Sequence, residues 1–391
     1  MTSVVTPNRW AWAEIDLESI GHNVEVLQRA VAPAAVWAVV KADGYGHGAI
    51  RVAKQALLAG AEGLCVALVD EGIELRQAGI DAPILLLTEQ PVARLNDVVR
   101  YRLTPSVYSL SFIEHLMAAA QSAGVELPVH VNVDTGMQRV GVSVDDASAL
   151  VRQIADRAPA LALEGIYTHL ACADEPTSPA SAEQLSRFDA VLTELETAGL
   201  RPDLTHIANS AAALAMPAAR RSFVRAGIAI YGVSPGTGVD HLMGGLRPAL
   251  ALKARVSHVK RVAAGSSISY GWRHRFEADT TVATLPIGYA DGVPRRLGTL
   301  PDRPGVDVLI AGRRCPIVGV VTMDQLMVDV GDADVAIGEE VVLIGHQGDE
   351  RIQVEEWADR LGTIGYEIVC GFSKRIQRVE LGDVPGTSPN S

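Results

Sequence analysis

The chain is poor in aromatic residues, which fill 5% of its 391 positions, and it holds only four cysteines. No apolar run is long enough to cross a bilayer before a glycine, a proline or a charge interrupts it. Each shortage excludes a class. Cys65, Cys172, Cys315 and Cys370 lie far apart and form no CxxC pair, so neither a zinc site nor a disulfide scaffold is expected. Reduced thiols in a cytoplasmic protein are the reading they support. Basic charge is scarce too: 34 Lys and Arg face 46 Asp and Glu, a formal charge of -12. There is no basic stripe with interleaved aromatics, which argues against nucleic acid as a partner. The opening MTSVVTPNRWAWAEID lacks the basic start and apolar stretch of a signal peptide.

What is abundant is small and aliphatic. Hydrophobic residues make up 48% of the chain, and there are 36 glycines. That suits an α/β protein with close helix–sheet packing, long enough for one large domain and one smaller. From 34 to 231, short apolar runs alternate with stretches of helical spacing. Eight runs read as strands: 34–40, 63–67, 83–87, 103–107, 129–133, 163–168, 204–208 and 223–225. Helices are expected at 47–59, 110–123, 145–157 and 182–198. Such alternation implies a parallel sheet. Eight units within about 200 residues favour a TIM-like (β/α)8 barrel over an open sheet.

From about 247 the strand-like runs follow one another: 250–259, 281–285, 306–310, 315–321, 326–330 and 340–344, with one helix at 354–361. This reads as a second, mostly antiparallel β domain at the C-terminus. The segment 10–16 alternates like a strand. The expected organisation is 1–16 as a strand associated with the β domain, 17–246 as the barrel, 247–382 as the β domain and 383–391 as a disordered tail.

Lys41 closes the first apolar run, within VVKADGYGHG at 39–48. The carboxyl end of a strand is the catalytic face of a βα barrel. Desolvation there favours a neutral amine, which can attack an aldehyde and form a Schiff base. On position alone, a surface lysine is the commoner case. Tyr45 sits among Gly44, Gly46 and Gly48, which let the backbone approach a ligand. The segment matches neither the Walker A loop nor the dinucleotide fingerprint. Arg139, in VNVDTGMQRVG, suits a bidentate grip on a carboxylate, although loop arginines are more often solvated. His169, in IYTHLACAD, gains interest from sharing the face of Lys41. Asn209 and Ser210, in THIANSAAAL, stand where a strand meets an Ala-rich helix. Either is a good N-cap, and the same turn can receive an anion. Arg225 ends the last barrel run in VRAGIAIYG, with Gly227 and Ile228 following. Late βα loops in barrels frequently bind phosphate. In the β domain, SYG (269–271), IGYADG (287–292) and TMDQ (322–325) are polar breaks that could each be an ordinary turn. Tyr366 lies in GYEIVC.

Taken in order, these segments resemble the alanine racemases from about Trp12 to Arg378, and VVKADGYGHG resembles that family's pyridoxal-phosphate lysine signature. The resemblance implies a cofactor-binding barrel followed by a β domain, and interconversion of L- and D-alanine. It implies that Lys41 carries pyridoxal 5'-phosphate. Tyr45, Ser210, Gly227, Ile228 and Tyr366 would hold the phosphate, with Asn209 beside them. His169 would orient the ring and bond to Arg225, and Arg225 would face the ring nitrogen. Arg139 and the Met323 amide would take the substrate carboxylate. Tyr270 would be the second catalytic base. In the family, Tyr270 and Met323 reach the other subunit's site, so a head-to-tail homodimer is implied. Tyr289, Asp174 and Arg295 fall where members line the entry channel. The family's usual role is to supply D-alanine for peptidoglycan.

The chemistry is consistent with this set. Racemisation needs a base on one face of the α-carbon and a conjugate acid on the other. A guanidinium is effectively always charged, so Arg225 should leave the ring nitrogen unprotonated. One departure stands out. Many members carry a lysine, often carbamylated, where this chain has Asn132. Either hydrogen bonds from Asn132 or an anion such as chloride is then expected to steady Arg139. Three rivals share parts of the pattern. A serine or broad-specificity racemase would use the same residues. A decarboxylase would place a carboxylate at the ring nitrogen, which Arg225 argues against. A non-catalytic cofactor carrier would resemble the barrel alone.

Overall fold

The computed structural model describes residues 7–382. The stretches 1–6 and 383–391, the expected tail among them, lie outside the described residues. The chain divides into two units. Among the described residues, one unit runs from Ile20 to Arg247; the other takes 7–19 and 248–382. Strand β1 (Ala11–Asp16) belongs to the second unit.

The first unit is a barrel of eight parallel strands. They are β2 (Ala35–Val39), β3 (Gly63–Val66), β4 (Ile84–Leu86), β5 (Thr104–Val107) and β6 (Leu127–Asp134), with the two-residue β7 (Val142–Ser143) appended to β6. Then come β8 (Leu161–Tyr167), β9 (Leu204–His206) and β10 (Phe223–Ala226), in the spatial order β10-β2-β3-β4-β5-β6-β8-β9. The ring closes through the Ser222 amide donating to Thr205 O at 2.9 Å and the Arg225 amide to Ala208 O at 2.9 Å. Every residue of β3, β4, β5 and β10 is buried. Strands covered on both faces read as unbroken apolar runs, which is why the sequence pattern locates them so well. Inside the barrel, Trp37 stacks on Phe223 at 4.3 Å, and Phe223 on His206 at 4.2 Å.

The expected helices form at Ala49–Leu58, Leu110–Ala123, Ala147–Ala155 and Ala180–Thr197. The first starts later than the apolar spacing predicts, because the residues before it form a turn of opposite hand, described below.

In the second unit β1 pairs antiparallel with β11 (Leu250–Arg255). The run 250–259 does not form one strand. β12 (His258–Val262) leaves that neighbourhood and pairs with β15 (Thr280–Leu285), beyond the short hairpin β13 (Ser267–Ile268) and β14 (His274–Arg275). The switch falls at Val256 and Ser257, whose amides donate to Glu339 O and Thr284 O, on different neighbours. The remaining strands are β16 (Asp307–Ile310), β17 (Arg313–Val318), β18 (Leu326–Gly331), β19 (Glu340–Gln347), β20 (Glu350–Ile352) and β21 (Gln377–Leu381). All ladders of this unit are antiparallel except that between β1 and β21. The expected helix Val354–Leu361 is present, and a second, Gly365–Cys370, follows it. Six residues opening on glycine carry too little periodicity to announce a helix. Among the described residues, no helix is long and apolar enough to cross a membrane.

Candidate active site

Lys41 lies one residue beyond the end of β2, after Val40, and is half-buried. The next residues trace a turn of left-handed helix: Ala42, Asp43, Gly44 and Tyr45 have φ of 52°, 53°, 59° and 52°. Left-handed geometry costs roughly 1–2 kcal/mol per residue for anything but glycine, so a single sequence of this kind needs outside support. The support is visible. Glu71 takes the Ala42 amide on one carboxylate oxygen at 2.6 Å, and the Ala67 and Leu68 amides on the other at 2.8 and 3.0 Å. Asp43 accepts from the Ala49 amide at 3.0 Å and starts the following helix. Nothing in the sequence pattern marks Glu71, because its effect lies across a loop 29 residues away.

Beside this turn, Tyr45 approaches β10. A Cβ on Gly227 would stand 2.7 Å from the Tyr45 hydroxyl, so only glycine fits that position. Ser210 Oγ accepts the Gly227 amide at 2.9 Å and the Ala229 amide at 3.3 Å, which leaves its own hydrogen free to donate. Gly227 thus contributes its missing side chain, while its amide is already engaged. Asn209 caps the helix Ser210–Ala215 by accepting from the Ala212 amide at 3.0 Å. Ile228, next in the chain, is buried.

Arg225 is 3% exposed. Its Nη1 donates to His206 Nδ1 at 2.6 Å, and its Nη2 to Thr168 O and Ile207 O at 2.9 and 3.0 Å. His169 Nδ1 lies 3.3 Å from the same Nη2, the contact expected between these two residues. Burial, together with the charges of Arg225, Arg139 and Lys41, holds His169 down to about 3, so it is neutral. Burial and the charges of Arg225 and His130 also hold His206 well below the ordinary histidine value. Burial pushes the Cys65 thiol up to about 12 against the charges of Arg225 and Lys41, so it is no nucleophile. Arg139 lies on the exposed loop after β6. Its charge reaches both His169 and Arg225. Asn132 is buried on β6 and makes no hydrogen bond to Arg139, so the first of the two arrangements expected there is absent. Asp174 packs on Gly236 and Gly238, where a Cβ would meet it within 2.6 and 2.2 Å.

The β unit brings its own set together. The Tyr289 and Ala290 amides donate to Thr322 O and Met323 O, both at 3.0 Å, lacing IGYADG onto TMDQ. Ser269 Oγ donates to Val320 O at 2.6 Å and pins the turn that presents Tyr270. Tyr270, Met323 and Tyr289 are 69%, 52% and 41% exposed. Arg295 is exposed, and Tyr366 is half-buried on Gly365–Cys370. Sequence reasoning missed the anchor of this edge. Asp291 is fully buried, accepts Arg9 at 2.6 and 2.8 Å and the Gly288 amide at 3.0 Å, and meets Arg375 at 3.3 Å. Burial alone would raise its pKa, but Arg9 and the Gly288 amide hold the carboxyl below its ordinary value.

These arrangements sit on a chain whose relatives agree with one another. Residues 15–235 match the family model for the alanine racemase N-terminal domain, and 249–380 the one for its C-terminal domain. The chain belongs to the alanine racemase family. An alanine racemase of Symbiobacterium thermophilum is 46% identical over 96% of this chain and 98% of its own. One of Thermobifida fusca is 42% identical over 96% and 99%. Among solved structures, alanine racemase from a D-cycloserine-producing Streptomyces lavendulae superposes with a TM-score of 0.90 at 38% identity, over 97% of this chain and 98% of that one. The Bacillus anthracis alanine racemase with bound L-Ala-P gives 0.89 at 38%, over 97% of both. The family depends on pyridoxal phosphate. The residues of the barrel fit such a group. They offer a glycine-lined approach beside a tyrosine hydroxyl, a serine hydrogen free to donate, and an amine at the mouth of β2. Arg225 fits as well, since among the described residues its Nε–H has no acceptor.

Proposed function

We propose that this chain interconverts L- and D-alanine with pyridoxal 5'-phosphate. Lys41 carries the cofactor. Tyr45, Ser210, Ile228 and Tyr366 meet its phosphate, beside Asn209 and the bare Gly227. The observation that carries the reading is the pairing of Lys41 and Arg225 at the carboxyl ends of adjacent strands, in register at Arg225 and Trp37. Bound there, pyridoxal phosphate supplies the electron sink that makes the α-proton of alanine removable. Lys41 Nζ and Tyr270 Oη hold or receive that proton on opposite faces of the α-carbon, exchanging roles with direction. Arg139 and the Met323 amide fix the carboxylate. Arg225 stays charged and donates, so the nitrogen it faces remains an acceptor. His169, neutral, orients the ring without adding charge.

Tyr270 and Met323 act on the site of a second copy, giving a head-to-tail homodimer with two composite sites. Their exposure in the single chain supports this. Tyr289, Asp174 and Arg295 line the entry. A chloride or similar anion near Asn132 steadies Arg139, because no side-chain hydrogen bond does so. The enzyme works in the cytoplasm and supplies D-alanine for peptidoglycan.

Purified protein assayed for D-alanine formation tests the reading, with L-serine and L-valine as comparison substrates. Turnover of alanine above the other two, lost in Tyr270→Phe, is expected. A bound-cofactor absorbance without any turnover would instead mark a carrier.

A further inference from the structure

Behind Arg225 a row of hydrogen bonds leads to a carboxylate that none of the roles above uses. Arg225 Nη1 donates to His206 Nδ1 at 2.6 Å, which puts the His206 proton on Nε2. His206 Nε2 lies 2.9 Å from His130 Nδ1. Donation there puts the His130 proton on its own Nε2, and that nitrogen lies 2.9 Å from Glu164 Oε2. A guanidinium does not give up its proton. Every donor in the row therefore points from Arg225 toward Glu164. Both histidines are fully buried, while the Glu164 side chain is 40% exposed.

The barrel wall is shaped around this row. In the pairing of β6 with β8, Val129 faces Leu163 and His130 faces Gly165, so Glu164 is the extra residue of a bulge. Bulges re-aim a side chain. Gly165 makes room for the imidazole, since a Cβ there would stand 2.6 Å from the His130 ring. Tyr167 and Phe223 stack on His206 at 4.5 and 4.2 Å and cover it. In such a dry setting, hydrogen bonds in series strengthen one another.

We propose that Glu164 is a positioning residue for Arg225, acting through His130 and His206. Its charge makes His206 Nδ1 a stronger acceptor and locks the guanidinium plane. The Arg225 donors that lack a protein acceptor then face the bound ligand in one orientation. The inference rests on the reading of Arg225 as the group at the cofactor's ring nitrogen, and it assigns that group a partner on another strand.

The test compares holoenzymes carrying Glu164→Gln, which keeps an acceptor oxygen without charge, and Glu164→Ala, which removes both. Expected for Glu164→Ala are a fall in kcat of about tenfold at nearly constant KM and a displaced absorption maximum of the bound cofactor. Glu164→Gln gives the same changes in smaller degree. In 15N-histidine-labelled protein, the His130 Nε2 proton resonance moves in both variants. Wild-type kcat and absorption in both variants would overturn the proposal. Should Glu164→Ala fail to fold, Gly165→Ala displaces the imidazole with the carboxylate intact: a displaced band supports the row and an unchanged one refutes it. Wild-type protein that binds pyridoxal phosphate but racemises nothing would defeat the proposed activity, while the band shift still decides the role of Glu164.

Discussion

The two units hold the residues proposed to act in catalysis in opposite ways. The barrel buries them: Arg225 and His206 are sealed among strands, and Lys41 is half-buried beside a strained turn. The β unit displays them: Tyr270 and Met323 stand out on turns, anchored from beneath by backbone bonds and a buried carboxylate. The physical demands differ. A group that must stay neutral or keep one orientation needs low dielectric and many partners. A group meant to meet another chain needs a free surface on a stiff support. Function and stability should therefore be coupled in the barrel and separable on the β unit.

The sharpest test of that contrast is Tyr270→Phe against Lys41→Ala. Each should lower racemisation by about 10²–10⁴-fold, the range for a lost acid–base group. Tyr270→Phe should leave the urea unfolding midpoint and the cofactor absorbance unchanged, whereas Lys41→Ala should abolish the absorbance of the covalently held cofactor. A destabilised Tyr270→Phe would break the comparison. Next in size is Asp291→Asn. It leaves Arg9 and Arg375 facing a neutral group, and because both arginines are partly exposed the cost should be about 2–3 kcal/mol, read by urea denaturation. Activity should fall with it, since Asp291 holds the Tyr289 turn, onto which the Met323 segment is laced.

Glu71→Gln is smaller. An amide NH2 replaces one of two oxygens that each accept backbone amides, so about 1–2 kcal/mol should be lost. Because the left-handed turn follows Lys41, cofactor affinity measured by absorbance titration should drop as well.

The last comparison separates the units by pH. His169 and His206 are lower in the folded chain than the ordinary 6.5, so between the folded and unfolded values the unfolded chain binds more protons. Their contribution is complete above about 6.5 and drains away as the pH falls toward their folded values. Asp291 is also depressed, so its contribution is complete above the ordinary 3.8 and is lost only as the pH falls below that. Urea midpoints followed by probes in each unit should weaken first in the barrel. Simultaneous weakening would show that the histidines do not set the barrel's acid limit.

Much of this was legible in the chain. Buried parallel strands are continuous apolar runs, so the barrel could be counted from them. Their ends drew attention to Lys41, His169 and Arg225, whereas the polar breaks of the β domain read as ordinary turns, and Tyr270 and Met323 were singled out only by the resemblance to the alanine racemases. What stayed hidden was set at a distance. Arg9 and Asp291 pair across 282 positions, Glu71 reaches back 29, and Glu164 meets His130 across 34 only because a bulge turns it inward. The left-handed turn was equally illegible, since Ala42 and Tyr45 have no local preference for positive φ that would announce it. Local pattern determines which elements form and which residues end them, because periodicity and turn chemistry act over a few residues. Only the folded chain decides which buried charge meets which partner, because that choice is made by packing between segments that carry no mark of one another.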